Sequence, residues 1–170
     1  MHCDLRLQDY RDVRGGFDRV VSIEMLEAVG EAYWPTYFKK MRDRLRPGGI
    51  AVLQVITIDE ARFENYRRRP DFIQKYIVPG GMLPTPQIIE REASKAALLL
   101  VGNEFFGNGY ARTLEEWRTR FQDAGPQIEA LGFDQRFKRM WEYYLAYCQV
   151  GFETRTIDVG LYKIVKPARV

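Results

Sequence analysis

Hydrophobic positions in the first third of the chain predict two β-strands joined by a helix. Residues 19–23 form a short apolar strand, and residues 50–58 form a near-continuous apolar run, typical of a strand buried on both faces. Between them, residues 33–45 place apolar side chains at helical spacing. The helix should end before the proline and glycines at 47–49, which cannot continue it. This strand–helix–strand order predicts a βαβ unit within a parallel sheet.

The rest of the chain is also a mixture of strand and helix patterns. We predict helices over 59–69, 86–96, 113–124 and 135–153, and strands over 5–8, 97–105 (buried) and 157–166. Thr113 and Glu116 form a capping box for the third helix, which leaves Gly107, Gly109 and Tyr110 in the preceding loop. Asp134 should cap the fourth, whose apolar stripe is expected to be core. Residues 70–86, dense in proline, glycine and aromatic rings, are either a functional lid or an ordered surface loop.

Length and composition indicate one globular domain. The chain has 170 residues, of which 46% are hydrophobic and 29% charged, with a net charge of +3. The basic run Arg67 to Arg69 is either a solvated helix end or a contact for an anionic head group or membrane surface, and nothing indicates nucleic-acid readout. Without a signal peptide or a transmembrane run, the chain is expected to be cytoplasmic.

Cysteine and histidine are too sparse for several kinds of site. Cys3 and Cys148 are far apart in the sequence, which predicts neither a disulfide framework nor a metal site. His2 is the only histidine. Zinc chemistry and histidine-based catalysis are therefore not expected, and we predict no metal.

Two glutamates follow the first long strand. Glu24 and Glu27 lie just past residues 19–23, where open α/β sheets place their ligands. The alternative is that both acids begin a solvated helix and face its N-terminal dipole. Asp9 likewise follows a predicted strand, where an acid can accept from an adenine amino group or a ribose hydroxyl, or can simply form a turn. The glycine-rich turn that normally follows the first strand of a nucleotide-binding sheet is missing, so the chain either binds no nucleotide or begins partway through such a fold.

Six segments, in order, resemble the cyclopropane-fatty-acyl-phospholipid synthases and the related mycolic acid methyltransferases. They are LQDYRD (7–12), FDRVVSIEMLEAVG (17–30), LRPGGIAVLQVITI (45–58), FIQKYIVPGGMLP (72–84), FGNGYARTLEEW (106–117) and RFKRMWEYYLAYCQVGF (136–152). The resemblance covers the C-terminal part of such an enzyme. It implies an α/β fold, the Rossmann-like sheet of a class I S-adenosylmethionine-dependent methyltransferase with helices on both faces, whose N-terminal strands and glycine-rich turn would precede Met1. Residues 1–170 would be a single partial domain, with helical insertions over the acyl site at 59–96 and 114–153.

The resemblance also implies a reaction and its residues. Family members transfer a methylene from S-adenosylmethionine to the cis double bond of an unsaturated phospholipid acyl chain, with bicarbonate as the base. The catalytic positions fall on Glu27, Gln54, Ile56 and Tyr110, where Gln54 replaces a histidine of many members and cannot titrate. The cofactor positions fall on Gln8, Asp9, Ser22 and Ile23.

Several readings of the function remain open at this point. The first is a cyclopropane-forming enzyme that is peripheral at the inner membrane face, with a homodimer as one way to complete a half-site. The others are a methyltransferase that gives a methyl-branched lipid or a methylated small molecule, and a non-catalytic fragment that binds acyl chains or a partner.

Overall fold

A four-stranded mixed sheet with helices packed on it forms the framework of the protein, seen here in a computed structural model that describes residues 3–168. In chain order the elements are β1 (Phe17–Ile23), α1 (Leu26–Val29), α2 (Trp34–Arg44), β2 (Leu45–Ile58), α3 (Glu60–Arg68), a π-helical turn (Ile73–Ile77), α4 (Pro86–Lys95), β3 (Leu99–Phe105), α5 (Gly107–Asp123), α6 (Gly125–Ala130), α7 (Gln135–Glu153) and β4 (Ile157–Val165). Short 3₁₀ turns occur at Tyr10–Asp12 and Glu31–Tyr33.

The strands lie in the order β1-β2-β4-β3. β1 is parallel to β2, with Ile23 opposite Gln54, while β4 runs antiparallel to both β2 and β3. The predicted βαβ unit is thus confirmed as β1–α2–β2. Its consequence for function is that β1 and β2 end at the same edge of the sheet, where their last side chains meet.

The proline–glycine–glycine segment is part of β2 and bends it. The pairing with β1 shifts between Phe17 and Arg19, and Gly48 takes a φ of +76° that suits glycine. A Cβ on Gly49 would lie 2.8 Å from the carbonyl oxygen of Arg46. The helix does end before this segment, as predicted, but the chain enters the strand through a bulge instead of a separate turn.

The main hydrophobic core lies between α2, β2 and α4. Phe38 on α2, Leu53 on β2, Ile89 on α4 and Tyr162 on β4 are all at most 1% exposed. A second cluster joins α5, α7 and β4 through Leu114, Leu145, Phe152 and Val159. The helices predicted over 59–69, 86–96 and 135–153 and the last strand are confirmed, and Asp134 caps α7 by accepting a hydrogen bond from the amide of Phe137 (2.8 Å). The π-helical turn lies in the segment 70–86.

Three predictions of local structure were wrong. Residues 5–8 form no strand; Leu5 and Leu7 are exposed, because no strand within residues 3–168 lies beside them to complete the hydrogen-bonding ladder. The strand predicted as buried over 97–105 is the exposed edge strand β3, which pairs only with β4 and leaves Leu99 and Val101 about half exposed. The third is the predicted start of α5.

Helix α5 begins at Gly107, six residues before the predicted capping box. The carboxylate of Asp158, on the distant strand β4, accepts a hydrogen bond from the amide of Gly107 (2.9 Å) and so caps the helix. Thr113 lies inside the helix and donates to the carbonyl oxygen of Gly109 (2.9 Å). Tyr110 therefore projects from a helix and not from a loop. The short helix α6 was not predicted.

The stripe on α7 is only partly core. Leu145 and Phe152 are buried, whereas Phe137, Trp141, Tyr144 and Cys148 are half-buried. The ring of Phe137 stacks between those of Phe133 (4.3 Å between centroids) and Trp141 (5.7 Å). Much of this face thus contacts neighbouring rings or lines a groove, and does not lie in a closed core.

Candidate active site

Polar side chains from four elements meet where β1 and β2 end. Glu24 follows β1, Glu27 lies in α1, Gln54 and Ile56 lie in β2, and Tyr110 lies in the first turns of α5. All four predicted catalytic residues are therefore brought together, with Glu24 added to them. The carboxyl ends of parallel strands are where α/β sheets bind their ligands.

Glu27 is a carboxyl group held in an apolar setting. One of its oxygens, Oε1, accepts a hydrogen bond from the backbone amide of Ile56 (2.5 Å). The other, Oε2, is buried and has no partner among the described residues. Burial raises the pKa of Glu27 to about 7, and the bond from Ile56 offsets only part of that effect. Glu27 can therefore exchange a proton near neutral pH.

Gln54, Tyr110 and Glu24 form a closed triangle of hydrogen bonds. The amide nitrogen Nε2 of Gln54 donates to Oε1 of Glu24 (2.7 Å) and to the hydroxyl of Tyr110 (2.6 Å). The Tyr110 hydroxyl in turn donates to Oε1 of Glu24. Burial, followed by this bond to Glu24, raises the pKa of Tyr110 above its usual range, so the phenol remains protonated and can act as a donor.

Glu24 is the site residue that sequence reasoning left without a role. Its position past the strand was noted, but its contact with Tyr110 spans 86 residues and depends on how α5 packs against the sheet. One local signal was a glutamate at the strand end, and that signal is equally typical of a helix start. Only the tertiary fold shows whether such a glutamate belongs to a site or simply begins a helix.

A groove of about 940 Å³ opens beside these residues. Its lining is mainly apolar and includes Ile58, Met82, Leu83, Tyr144 and Phe152, and Glu24, Glu27 and Ile56 lie along the same groove. The rings of Phe106 and Phe152 approach that of Tyr110, with centroids 5.7 Å and 5.3 Å away. The site therefore joins a space suited to an apolar chain with a cluster of aromatic faces.

The segment over 70–86 and helix α7 form one wall of the groove. The ring of Phe72 packs edge-on against that of Tyr143 (4.7 Å between centroids), and the hydroxyl of Tyr147 donates to the carboxylate of Asp71 (2.9 Å). Arg62 and Arg69 also line the groove. The groove thus combines aromatic rings on this wall with two basic side chains from α3 and its C-terminal end.

The residues predicted to bind the cofactor lie at the same edge of the sheet. Ser22 and Ile23 end β1, and Ser22 accepts a hydrogen bond from the hydroxyl of Tyr37 (2.7 Å). The ring of Tyr37 contacts that of Tyr10 (5.8 Å between centroids), which ties the turn at Tyr10–Asp12 to the end of β1. Gln8 and Asp9 precede this turn and are exposed.

Asp9 already has partners within its own turn. Its carboxylate accepts from the amide of Arg11 (2.8 Å) and from the Arg11 guanidinium (2.7 Å), and these bonds lower the pKa of Asp9 to about 2. The group is therefore ionised and has lone pairs left for a further donor such as a hydroxyl. The exposed end of β1 and this acceptor fit a nucleoside ligand.

Other kinds of site find no support within residues 3–168. They contain no group of three or more His, Cys, Asp or Glu side chains that could hold a metal ion. In the same range no helix is both long and apolar enough to cross a bilayer. Cys3 and Cys148 are free thiols, and His2 lies outside the described residues.

Comparison with known proteins decides the family. The family model described as mycolic acid cyclopropane synthetase matches residues 1–162. The chain belongs to this family. The resemblance noted in the sequence is thereby confirmed.

Curated relatives of this cyclopropane synthetase family are longer than the chain. Tuberculostearic acid methyltransferase UfaA1 of Mycobacterium tuberculosis is 43% identical over 96% of the chain and 38% of its own length. The cyclopropane-fatty-acyl-phospholipid synthase of Escherichia coli K12 is 38% identical over 94% of the chain and 40% of its own length. The chain thus spans about two fifths of the length of either relative.

Solved structures of the family confirm the fold. Mycolic acid cyclopropane synthase CmaA1, in a complex with SAH and CTAB, has a TM-score of 0.85 at 24% identity, over 95% of the chain and 59% of that protein. MmaA2 of Mycobacterium tuberculosis has a TM-score of 0.85 at 25% identity and the same coverage. The fold is that of a class I S-adenosylmethionine-dependent methyltransferase, as predicted, and the chain corresponds to part of it.

Proposed function

We propose that the chain is the catalytic portion of an S-adenosylmethionine-dependent lipid methyltransferase that converts the cis double bond of an unsaturated phospholipid acyl chain into a cyclopropane ring. The observation that carries this proposal is the position of the hydrogen-bonded triangle of Glu24, Gln54 and Tyr110 together with Glu27, which accepts from the Ile56 amide. It lies at the ligand edge of the sheet and borders an apolar groove. Membership of the family supports it independently.

The cofactor, when bound, supplies an electrophilic methyl group on a sulfonium sulfur. We assign its contacts to Gln8, Asp9, Ser22 and Ile23, because the exposed end of β1 and the ionised Asp9 suit a nucleoside. An alkene is a poor nucleophile, so the groove must hold it in attack geometry against the methyl group. The apolar lining of the groove can fix an acyl chain in this way.

A cation develops on the acyl chain in this chemistry. It survives where water is excluded and where aromatic faces lie nearby. Phe106, Tyr110 and Phe152 form such a group of rings next to the polar cluster. Glu27, Gln54, Ile56 and Tyr110 are the residues that we assign to catalysis, with Glu27 anchoring the Ile56 amide and Gln54 and Tyr110 holding the carboxylate of Glu24.

The bicarbonate ion that the resemblance implies does not fit this arrangement. The amide of Ile56 is bonded to Glu27, and both the Gln54 amide and the Tyr110 hydroxyl are bonded to Glu24. An added anion would find these donors engaged and would face the carboxylate of Glu24. Bicarbonate therefore has no part in the reaction that we propose.

The proposed substrate, an unsaturated phospholipid, requires a protein that works at a lipid surface. We place it in the cytoplasm, peripheral at the inner membrane face, as a monomer or homodimer, with the acyl chain in the groove and the phosphate of the head group near Arg62 and Arg69. The two arginines line the groove, and the described residues show no ion pair for either. Arg69→Glu should weaken binding to vesicles of anionic unsaturated phospholipid about 30-fold, because a basic residue near such a surface contributes about 1 kcal/mol and reversal of the charge counts roughly twice. Arg68→Glu is the matched control, since Arg68 pairs with Glu64 (3.2 Å) and does not line the groove. Equal loss in both variants, or none, would contradict the head-group site.

The reaction is tested in the protein at its natural full length, with unsaturated phospholipid vesicles and S-adenosylmethionine. Mass spectrometry should show acyl chains that gain one CH₂ and lose their alkene. Tyr110→Phe should reduce this product by about 10² to 10³, because it removes a donor from the carboxylate of Glu24. Glu27→Gln should also reduce it, because the amide nitrogen that replaces the buried Oε2 is a donor without a partner beside the site. Both variants should retain the circular dichroism spectrum. Full activity in both variants would refute the assigned roles, and a wild-type protein that leaves the lipid unchanged would refute the function.

A second candidate is a methyltransferase that gives a methyl-branched chain. UfaA1, one of the relatives with 43% identity, is named for tuberculostearic acid and not for a ring product. A saturated branch adds two hydrogens beyond the CH₂ of ring formation, and a methylene branch retains an alkene. Hydrogenation followed by mass spectrometry therefore separates the three products. Methylation of a small molecule, or acyl binding without catalysis, would leave the phospholipid unmodified.

A further inference from the structure

Glu24 adopts an unusual backbone conformation for its residue type. Its φ is +49°, in the left-handed region that favours glycine, and its amide donates to the carbonyl oxygen of Gln54 (2.8 Å). A side chain retained at such a position is held there by its surroundings, and these conformations are concentrated at functional sites. The conformation directs the end of β1 into the cluster, where the carboxylate reaches α5.

The carboxylate of Glu24 is fixed by two donors from two further elements. Both amide hydrogens of Gln54 are used, one on Glu24 and one on Tyr110, and Tyr110 also donates to Glu24. Helix α5 is itself held on the sheet by the Asp158 cap. The site therefore contains a preorganised anion of its own, which faces the groove.

We infer that Glu24 is the general base of the reaction, and that its carboxylate takes the place of an exogenous bicarbonate ion. The inference rests on the proposed function, since a base is needed only if a proton leaves the methylated acyl chain. It assigns a catalytic role to a residue that the sequence marked only as a candidate at the end of a strand, and that the family resemblance did not include. It also predicts that this protein works without added carbonate.

The other groups of the cluster cannot take the proton as readily. Glu27 has one oxygen on the amide of Ile56, and its second oxygen is closed off from solvent, so an acyl chain in the groove cannot reach it without rearrangement. Gln54 does not titrate. The Tyr110 hydroxyl already carries its proton. Glu24 is exposed and lines the groove, so its carboxylate can meet a C–H bond of the substrate.

The proton step is balanced within the substrate and Glu24. After methyl transfer, the acyl chain carries a positive charge on the carbon next to the new C–C bond. An oxygen of Glu24 removes a proton from the transferred methyl group, and the electron pair of that C–H bond closes the ring onto the cationic carbon. Glu24 leaves this step as a neutral acid and returns the proton to water at the exposed mouth of the groove.

The test uses Glu24→Gly in the full-length protein, because glycine accepts the left-handed backbone and leaves a space the size of an anion. Activity should fall by at least 100-fold in buffer freed of carbon dioxide, whereas the wild type should be unaffected by its removal. Added bicarbonate or formate should restore activity to the variant alone. Glu64→Gln, which changes an exposed glutamate outside the groove, is the control and should behave as wild type.

The inference is overturned if the wild-type rate depends on bicarbonate, or if the glycine variant stays active without any added anion. Binding of ¹³C-labelled bicarbonate, followed by nuclear magnetic resonance, gives a readout that does not need turnover. Labelled bicarbonate should bind the glycine variant and not the wild type, and the reverse would refute the role of Glu24. Failure of the wild type to modify lipid would count against the proposed function, while this binding experiment would still decide what occupies the anion position.

Discussion

Glu27 offers a quantitative test of the site through the pH dependence of stability. Its pKa is about 7 in the folded protein and 4.5 for an ordinary glutamate. The folded state therefore binds more protons than the unfolded state between these values, and stability falls as the pH rises through this window. At about 1.4 kcal/mol for each pH unit, ionisation of Glu27 costs about 3 kcal/mol in full, of which about 2.5 kcal/mol falls between pH 5 and pH 8.

The perturbation is Glu27→Gln, which removes the ionisation and keeps the shape. The amide oxygen can still accept from Ile56, but the amide nitrogen would replace the buried, unpartnered Oε2. A buried donor without a partner costs about 1 to 3 kcal/mol, and this cost does not depend on pH. The variant should therefore be less stable than the wild type at pH 5, and the gap should close or reverse at pH 8.

The decisive quantity is the change in that gap, because constant costs cancel from it. We expect urea unfolding at pH 5 and pH 8 to show the wild type losing about 2.5 kcal/mol more than the variant over this interval. Glu64→Gln, the same chemical change at an exposed ion pair, should follow the wild type. Parallel pH profiles for wild type and Glu27→Gln would show that the carboxyl group is not held in an apolar setting, and the reasoning about the site would fail.

Two further predictions test the packing around the site. Gly107→Ala should lower the free energy of unfolding in urea by about 1 to 3 kcal/mol, because its Cβ would collide with the Asp158 carboxylate and lie 3.1 Å from the Phe152 ring. Gly109→Ala, which has open space around its Cβ, is the control. Equal stabilities of the two variants would argue against the Asp158 cap. Burial raises the pKa of Cys148 to about 12, so iodoacetamide at pH 8 should label the exposed Cys3 in the native protein and reach Cys148 only after unfolding. Rapid labelling of both thiols in the native state would show that Cys148 is not held in a buried setting.

Elements specified by neighbouring residues were predicted well. The strand–helix–strand unit around α2 follows from apolar spacing and a proline–glycine stop, and α7 follows from its own N-terminal Asp134. Such signals lie within a few residues of the feature that they define. In these elements the tertiary contacts agree with the local signals.

Elements specified by distant residues were not predicted well from the sequence. Helix α5 starts at Gly107 because Asp158 accepts from its amide across 51 residues of sequence, so the local Thr113 and Glu116 signal lost to a tertiary cap. The apolar residues of β3 are exposed because this strand pairs on one side only, and no pattern within the strand reveals that. Residues 5–8 alternate like a strand but have no partner to pair with.

By itself the sequence determined the α/β class, the order of the central elements and the family resemblance, through which Glu27, Gln54, Ile56 and Tyr110 are expected as a set. Each of these depends on short-range spacing or on motifs that can be read in order. Only the tertiary structure decided which groups are hydrogen-bonded to one another. Glu24 accepts from Gln54 and Tyr110, while Glu27 accepts from the amide of Ile56. The physical reason is that hydrogen bonding and burial, which set charge and proton affinity at the site, are made between elements far apart in the chain.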